Sequence, residues 1–344
     1  MKNILVTGGA GFIGSSFVGL AVEKGFNVVI VDKLTYAGHV ENIQYIDAEK
    51  SAGSYKLVIG DISDKELIDS LLINHNIDAV LNFAAESHVD NSIANSHEFI
   101  VTNINGTHNL LECCRNYYNK LNNDKKNQFR YIQISTDEVY GSLKNDGTKF
   151  DESFPMRPNS PYSASKAAAD HLVRAWYQTY GLPTIVTNCS NNYGPRQMPE
   201  KLIPKIITCA VNHQTLPIYG DGNNIRDWIH VNDHCSGVML ALQKGQIGQT
   251  YCLGGNAEKT NIDVVENICQ ILQEKSDNNF DYKSLIKFVA DRAGHDRRYA
   301  INDQKATIEL GFKREYNFDV GLRQTVSWYL ENNKWYNEII KKAS

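Results

Sequence analysis

TGGAGFIG, residues 7–14, is the stretch on which the reading of this chain turns. It follows the apolar run NILV and leads into FIGSSFVGLAVEKG (12–25), which has helical character. The glycines fit G-x-G-x-x-G from Gly9 and G-x-x-G-x-x-G from Gly8, with Gly11 and Gly14 serving both registers. Between a strand and a helix, such glycines let the backbone close on a pyrophosphate. Its charge then meets free N–H groups and the positive helix end. Lying within the first fifteen residues at a strand-to-helix turn, the motif points to a dinucleotide-binding α/β fold.

Four further runs have the same character as the first: NVVIVD (27–32), YKLVIGD (55–61), AVLNFAA (79–85) and RYIQIST (130–136). They are short, β-branched and nearly all apolar, as strands buried on both faces are. Helical stretches separate them, among them SDKELIDSLLINHN (63–76), which reads as capped by Ser63 with Glu66 completing a capping box. Repeated β-α-β predicts a Rossmann-type doubly wound parallel sheet. The segment NYYNKLNNDKKNQF (116–129) is polar and reads as a surface connection.

Beyond about residue 190 the alternation fades. NNYGPRQMPEKLIPK (191–205) and LPIYGDGNNIRDW (216–228) read as loops around short elements. QTYCLGG (249–255) looks like a strand returning to the sheet, and IDVVENICQILQE (262–274) like an amphipathic helix. A chain of 344 residues exceeds what one core usually serves. The expected division is a dinucleotide-binding domain over 1–190, rejoined by 232–256, and a smaller α/β substrate domain made of 191–231 and 257–344.

Composition narrows the function classes. A formal charge of −4 gives no reason for a nucleic-acid or membrane-surface partner. No apolar run approaches the roughly 18 residues that cross a bilayer, and MKNILVTGG enters a strand without signal-peptide features. The seven cysteines are odd in number, scattered and without a C-x-x-C pair, so reduced thiols in a cytoplasmic protein are expected. No metal site is expected.

Asp32 ends the second strand, where a carboxylate holds adenosine ribose hydroxyls and repels a 2′-phosphate, favouring NAD over NADP. Lys33 beside it softens that repulsion. Asp61 and Ile62 end the third strand and could flank an adenine; both aspartates also read as plain turn residues. The fifth strand runs into IQISTDEVYG (132–141), which puts Thr136, Asp137 and Glu138 at the carboxyl edge where ligands of such sheets gather. SPYSASKAAADHLVRAWYQTYG (160–181) opens a helix carrying Tyr162 and Lys166 one turn apart, roughly 6 Å along the axis. A tyrosine of pKa about 10 needs about 4 kcal/mol to ionise near neutrality. One ammonium at about 4 Å, at an effective dielectric of about 20, supplies that much. Lys166 with a cationic nicotinamide would make Tyr162 a base for a hydroxyl proton. A surface Tyr–Lys pair is the plain alternative.

TGGAGFIG, a strand ending in Thr136 and Y-x-x-x-K together resemble the extended short-chain dehydrogenase/reductase superfamily. DKLTYAG, AAESHVD, STDEVYGS, NSPYSASKA, NNYGP, PEKLIP, YGDG, RDWIHV and GHDRRYAI carry a finer resemblance, over essentially the whole chain, to the dTDP-glucose 4,6-dehydratase family. That resemblance implies a hydro-lyase that oxidises carbon 4 of a nucleotide-linked hexose, eliminates water across carbons 5 and 6, and returns the hydride to carbon 6. It implies tightly held NAD recycled within each turnover, and a place in deoxysugar biosynthesis such as that of rhamnose. By the same resemblance Glu138 is the base at carbon 5, Asp137 the acid at the carbon-6 hydroxyl, and Thr136 the partner of the carbon-4 hydroxyl beside Tyr162 and Lys166. An acid working at neutral pH needs a raised pKa, which burial beside Glu138 favours.

The family's cofactor positions fall on Gly8, Gly11, Phe12, Ile13, Gly14, Asp32, Lys33, Leu34, Thr35, Asp61, Ile62, Ala84, Ala85, Thr102, Tyr162, Lys166 and Asn192. Its substrate positions fall on Ser87, Thr136, Asn191, Lys201, Leu202, Pro217, Tyr219, Arg226, Asn261, Arg292 and His295. Two of these have open alternatives: Arg226 and Asp227 could form an internal ion pair, and Lys201 could be a solvated loop charge. The chain departs from the family at Asn91, usually Arg, at His39, commonly Asn, and at Ala293, commonly Pro.

The nearest alternatives are 4,6-dehydration of UDP-glucose or another nucleotide hexose, and a nucleotide-sugar epimerase, which needs only the hydroxyl, Tyr and Lys. A simple alcohol dehydrogenase leaves the carboxylate pair unused, and a non-catalytic NAD-binding protein needs only the glycine loop and Asp32. Residues 98–117 and 162–180 carry apolar surface through which relatives pair as homodimers; cover by the second domain is the alternative.

Overall fold

The computed structural model describes residues 1–47, 49–276 and 280–343. Strand and helix alternate from the start: β1 (Asn3–Thr7), α1 (Phe12–Glu23), β2 (Asn27–Asp32), β3 (Ser54–Ile59), α2 (Lys65–Asn74) and β4 (Ala79–Asn82). Two short turns, α3 (Val89–Ala94) and α4 (His97–Phe99), pass through a π-helical stretch (Ile100–Gly106) into α5 (Thr107–Lys120). Then come α6 (Asn123–Gln128), β5 (Arg130–Thr136), α7 (Pro161–Tyr180) and β6 (Thr184–Cys189). The second half holds β7 (Asn191–Tyr193), α8 (Leu202–Val211), β8 (Leu216–Tyr219), β9 (Ile225–His230), α9 (Val231–Lys244) and β10 (Thr250–Leu253). It ends with β11 (Glu258–Thr260), α10 (Asn261–Lys275), β12 (Ile286–Val289), α11 (Phe318–Glu331) and α12 (Asn333–Ala343).

Strands with no polar alternation need cover on both faces, and they obtain it. Seven of them form one sheet in the order β3-β2-β1-β4-β5-β6-β10, every pairing parallel. On one face α1 and α9 bury Phe17, Val18, Val238 and Met239 against Ile4, Ile30 and Ile132. On the other, α2, α5 and α7 bury Leu72, Leu110 and Val173 against Leu5, Val31 and Val80. Strand order reverses between β1 and β4, opening a crevice beyond their carboxyl ends. Register brings Thr7 level with Asn82 across that gap.

A second core, built on Tyr193, Ile206, Trp228, Ile268, Phe318 and Leu322, joins α8, α10 and α11 around two small sheets. These are β11-β9-β7 and β12-β8. The turn containing Ala306, Leu310 and Phe312 packs instead on the large sheet's core.

Two local expectations are corrected. Helix α2 is capped by Asp64, whose side chain accepts the Leu67 N–H at 3.0 Å; Ser63 instead donates its hydroxyl to Asp61 at 2.6 Å. With a carboxylate one residue further on, the better acceptor takes the cap, and the Ser63–Glu66 box does not form. Nor is 116–129 a plain surface connection: α5 runs to Lys120, and Asn122 restarts the helix by accepting the Lys125 N–H. Buried Tyr117 and Phe129 pin this polar segment to the core.

Candidate active site

The glycine loop is shaped by contacts no side chain could share. Gly8 lies at φ +67°, where a Cβ would stand 2.6 Å from the Ala84 nitrogen. A Cβ on Gly14 would stand 2.1 Å from the Gly8 carbonyl. Asp32 ties this loop to the end of β2: its two carboxylate oxygens accept the Ala10 and Leu34 N–H groups, each at 2.9 Å. Burial pushes the Asp32 carboxyl up, and those two N–H groups oppose the shift. Asp32 is thus a fixed acceptor at the crevice rather than a loose turn residue. Lys33 is held by Asp61 at 2.9 Å, and Asp61 also takes the Ser63 hydroxyl.

Two adjoining cavities of about 290 and 270 Å³ meet at a shared wall of Glu138, Asn191, Asn192, Gln197, Glu200 and Lys201. The first runs from the glycine loop to Tyr162. Of the expected cofactor positions, Gly8, Gly11, Phe12, Ile13, Gly14, Asp32, Lys33, Thr35, Asp61, Ile62, Ala84, Ala85, Thr102, Tyr162, Lys166 and Asn192 line it. Leu34 does not; it contributes its backbone N–H to Asp32. The second cavity is lined by Leu202, Pro217, Tyr219, Arg226, Asn261, Arg292 and His295, while Ser87 and Thr136 face the first.

Helix α7 begins sharply because Ser160 caps it reciprocally with Ser163 and Pro161 occupies the first turn. That fixes Tyr162 and Lys166 over β5. The Lys166 ammonium donates to the Ile134 carbonyl at 2.7 Å, and burial pushes its pKa down while Asp170 opposes the shift. Burial pushes the Tyr162 phenol well above its ordinary range, and Glu138, Cys189, Tyr36 and Asp137 add to this. The ammonium is engaged by a carbonyl and carboxyls crowd the phenol, so the base role expected of Tyr162 calls for the cationic nicotinamide as well as Lys166.

The strand end turns tightly. Thr136 accepts the Glu138 N–H at 3.3 Å, the chain makes one 3-10 turn, and Gly141 leaves it at φ +85°, pressed against the Arg157 carbonyl. Glu138 faces both cavities. Burial raises its pKa, while Arg292, Lys201 and Arg226 pull it back. Asp137 is 1% exposed and lies behind the cavity wall rather than on it. Burial, Glu138 and Asp227 hold its carboxyl well above the usual carboxylate range. One strand end thus holds two carboxyl groups in different electrostatic settings.

The second cavity is cationic. Arg226 does not pair with Asp227, which accepts the Gly255 and Ala257 N–H groups. Its guanidinium donates to the carbonyls of Ile225 and Asp296 and lies 4.3 Å from the Tyr299 ring centroid. Two carbonyls and a ring leave its positive charge without a carboxylate partner among the described residues, as a site awaiting an anion requires. Lys201 is half-buried; it donates to the Ser87 carbonyl at 2.7 Å and lines both cavities. Tyr36, Glu86, His88, Cys189, Gln197, Glu200 and Tyr299 also line the site or crowd its reactive groups, beyond the residues expected from the sequence. Tyr36, Glu86, His88, Glu200 and Tyr299 lie inside quoted motifs, which is the only signal that could have found them. Asn91 is exposed at the start of α3 and lines neither cavity.

His230 and His234 stand four residues apart, a spacing used by some metal sites. Here His230 stacks on Tyr316 at 3.8 Å, and His234 shares a hydrogen bond with the Asn192 side chain at 2.9 Å. Among the described residues no group of three or more His, Cys, Asp or Glu could hold a metal ion, and no helix is long and apolar enough to cross a membrane.

A parallel sheet of this order with a glycine loop, a Tyr-x-x-x-Lys helix and a neighbouring anion pocket defines a short-chain dehydrogenase/reductase of the nucleotide-sugar type. The comparisons with known proteins agree. The chain belongs to the GDP-mannose 4,6 dehydratase family, whose model matches residues 5–325, and within it to the dTDP-glucose 4,6-dehydratases. It is 50% identical over 342 residues to the dTDP-glucose 4,6-dehydratase of Xanthomonas campestris pv. campestris (strain B100), covering 99% of this chain and 96% of that one. Among solved structures it resembles that of the Bacillus anthracis dTDP-glucose 4,6-dehydratase in complex with NAD. The TM-score is 0.86 at 45% identity, covering 98% of this chain and all of the other. The Streptomyces venezuelae dTDP-glucose 4,6-dehydratase with NAD bound gives a TM-score of 0.88 at 43% identity, with the same coverage.

Proposed function

We propose that this chain dehydrates dTDP-glucose to dTDP-4-keto-6-deoxyglucose, with NAD as an internally recycled cofactor. The observation that carries the reading is the strand end Thr136–Asp137–Glu138. It lies between the Tyr162–Lys166 helix and a cavity whose buried arginine has no carboxylate partner among the described residues. The first cavity fits NAD: its glycine loop packs too closely on the Gly8 and Ala84 backbone to admit a Cβ at Gly8 or Gly14, and Asp32 presents fixed carboxylate oxygens where ribose hydroxyls belong. Held by the glycine loop, Asp32 and the Tyr162–Lys166 helix, NAD would supply the hydride acceptor for carbon 4 and the hydride donor for carbon 6.

The protein's own groups handle the protons. Tyr162 takes the proton of the carbon-4 hydroxyl, with Thr136 sharing that hydrogen bond and Lys166 supplying positive charge behind it. Glu138, kept ionisable by Arg292, Lys201 and Arg226, removes the proton on carbon 5 once a ketone at carbon 4 has acidified it. Asp137, held protonated by its surroundings, supplies the proton for the departing carbon-6 hydroxyl by way of Thr136, whose hydroxyl bonds it and lines the first cavity. Arg226, Arg292, Lys201 and His295 meet the diphosphate. Asn191 and the Leu202 amide join them there, Pro217 and Tyr219 wall the base with Asn261 on the same cavity, and Ser87 sits toward the sugar or the pyrophosphate.

The working division is a cofactor domain of 1–190 with 232–256 and a substrate domain of 191–231 with 257–344. The turn at 306–312 leans back onto the first. A cytoplasmic homodimer pairing through the outer faces of α5 and α7 accords with exposed Tyr180 at the end of α7 and exposed Ile100 on the π-helical stretch that leads into α5. Purified protein given dTDP-glucose and no added nicotinamide tests the activity. The alkaline chromophore of a 4-keto product without net NADH is expected. NADH accumulating in step with substrate loss would identify a dehydrogenase instead, and faster turnover of UDP-glucose would correct the nucleotide.

A further inference from the structure

Beyond the residues that face either cavity, one buried acid stands directly behind the Tyr162–Lys166 pair. Asp170 is 3% exposed and follows Lys166 by one turn on the same face of α7. Both side chains reach down to the same place. Lys166 donates to the Ile134 carbonyl, and Asp170 accepts the hydroxyl of the next residue, Ser135, at 2.6 Å. The same carboxylate oxygen accepts from Asn188 at 3.2 Å, and Asn188 in turn donates to the Thr136 carbonyl at 3.1 Å. The other oxygen of Asp170 takes no hydrogen bond among the described residues.

If the role were only to tie α7 to β5 and β6, a neutral Asn would serve it with less penalty, because a buried carboxylate with one bare oxygen is costly. The titratable groups around Asp170 are Lys166 on its own helix, Tyr131 on β5 and Tyr140 on the turn after β5. The two phenols are pushed up and stay neutral, so Lys166 is the cation that the acid faces. Burial raises Asp170 to about 6, with Lys166 the first influence opposing that rise. An ionised Asp170 at neutral pH therefore depends on Lys166, and the reverse holds as well.

We propose that Asp170 is a positioning residue for the reaction, the buried counter-charge that keeps Lys166 an aimed ammonium beneath Tyr162. Resting on the reading of Tyr162 and Lys166 as the proton-handling pair, it adds the group that maintains them. Asp170 lines neither cavity.

A double-mutant cycle tests it without reference to turnover. Full-length wild type, Lys166→Met, Asp170→Asn and the double variant are unfolded in urea. At about pH 8 the two positions are expected to be coupled roughly tenfold or more in the unfolding equilibrium constant. At about pH 5, with Asp170 protonated, the coupling should vanish. Asp170→Asn should also lower kcat roughly tenfold while KM stays within about threefold. Additive effects, or equal coupling at the two pH values, would overturn the proposal. If Asp170→Asn alone does not accumulate as folded protein, the double variant should, because the stranded ammonium has gone with its counter-charge. Failure of both to fold would equally overturn it. Loss of dTDP-glucose turnover in the wild type would instead strike the functional reading and leave the coupling untouched.

Discussion

Thr136 donates its hydroxyl to Asp137 at 3.4 Å, and the other Asp137 oxygen takes no hydrogen bond among the described residues. A buried carboxyl with one long hydrogen bond and a second carboxyl next to it is poorly stabilised as an anion. Its pKa accordingly stands well above the usual carboxylate range. Asp137 should remain protonated through neutral pH, as a proton donor must. Replacing it by Asn keeps the shape and removes the proton, so Asp137→Asn should lower kcat by roughly 10²–10⁴ with KM little changed. Steady-state formation of the 4-keto product measures this; a loss under about tenfold would remove Asp137 from the acid role.

Lys201 influences two properties at once, because it lies on the wall between the cavities and is among the charges that pull Glu138 down. Lys201→Met should raise KM for the nucleotide sugar by roughly 10-fold through lost attraction to the diphosphate. It should also move the acid limb of kcat upward, since Glu138 loses one of its cations and must still ionise to act as a base. A change in KM with an unmoved acid limb would mean that Lys201 meets only the diphosphate. The pH–rate profile of the variant against wild type separates the two.

The sequence carries the sheet well, because all-apolar β-branched runs between helices admit few arrangements. It also marks the site's edge, since Thr136, Asp137 and Glu138 end a strand whose neighbours end in Asn82 and Cys189. Distances across the fold are less legible. That Asp137 lies behind the wall while Glu138 lies on it depends on a single 3-10 turn closed by Gly141. That Arg226 meets Tyr299 instead of its neighbour Asp227 depends on pairing between β9 and β11, which aims successive side chains to opposite faces. Hydrogen-bond choices were the least readable of all: Ser63 and Asp64 are equally good caps on paper.

The glycine loop makes a sharp prediction about cofactor binding. A methyl at Gly14 would press on the Gly8 carbonyl carbon and oxygen, and both atoms are backbone with nowhere soft to yield. Gly14→Ala should weaken NAD binding by at least about 100-fold, and should destabilise the chain by a few kcal/mol as the loop lifts from α1. Asp32→Asn should be milder: it leaves the loop path open but sets an amide donor against the Ala10 or Leu34 N–H, for about 1–3 kcal/mol. Calorimetric titration of each variant with NAD gives the order; equal affinity for Gly14→Ala and wild type would mean that NAD does not lie on this loop.

Acid stability should be governed in part by two histidines outside the chemistry. Burial pushes His230 down to about 4 and His234 down to about 3. Both are depressed relative to an unfolded histidine of about 6.5, so the unfolded chain takes up protons that the folded one refuses. Their stabilisation is therefore complete above about pH 6.5 and drains away as pH falls toward the folded values. His230 stacks on Tyr316, and charging His234 would bring an unpaired proton to its inner nitrogen, which has no acceptor among the described residues. His234→Gln keeps a hydrogen bond toward Asn192 but cannot titrate. Its urea midpoint should fall less than that of wild type between about pH 7 and pH 4.5, even if it starts lower. Parallel slopes for the two proteins would mean that His234 is already charged in the folded state, and the neutral partner assigned to Asn192 would have to be given up.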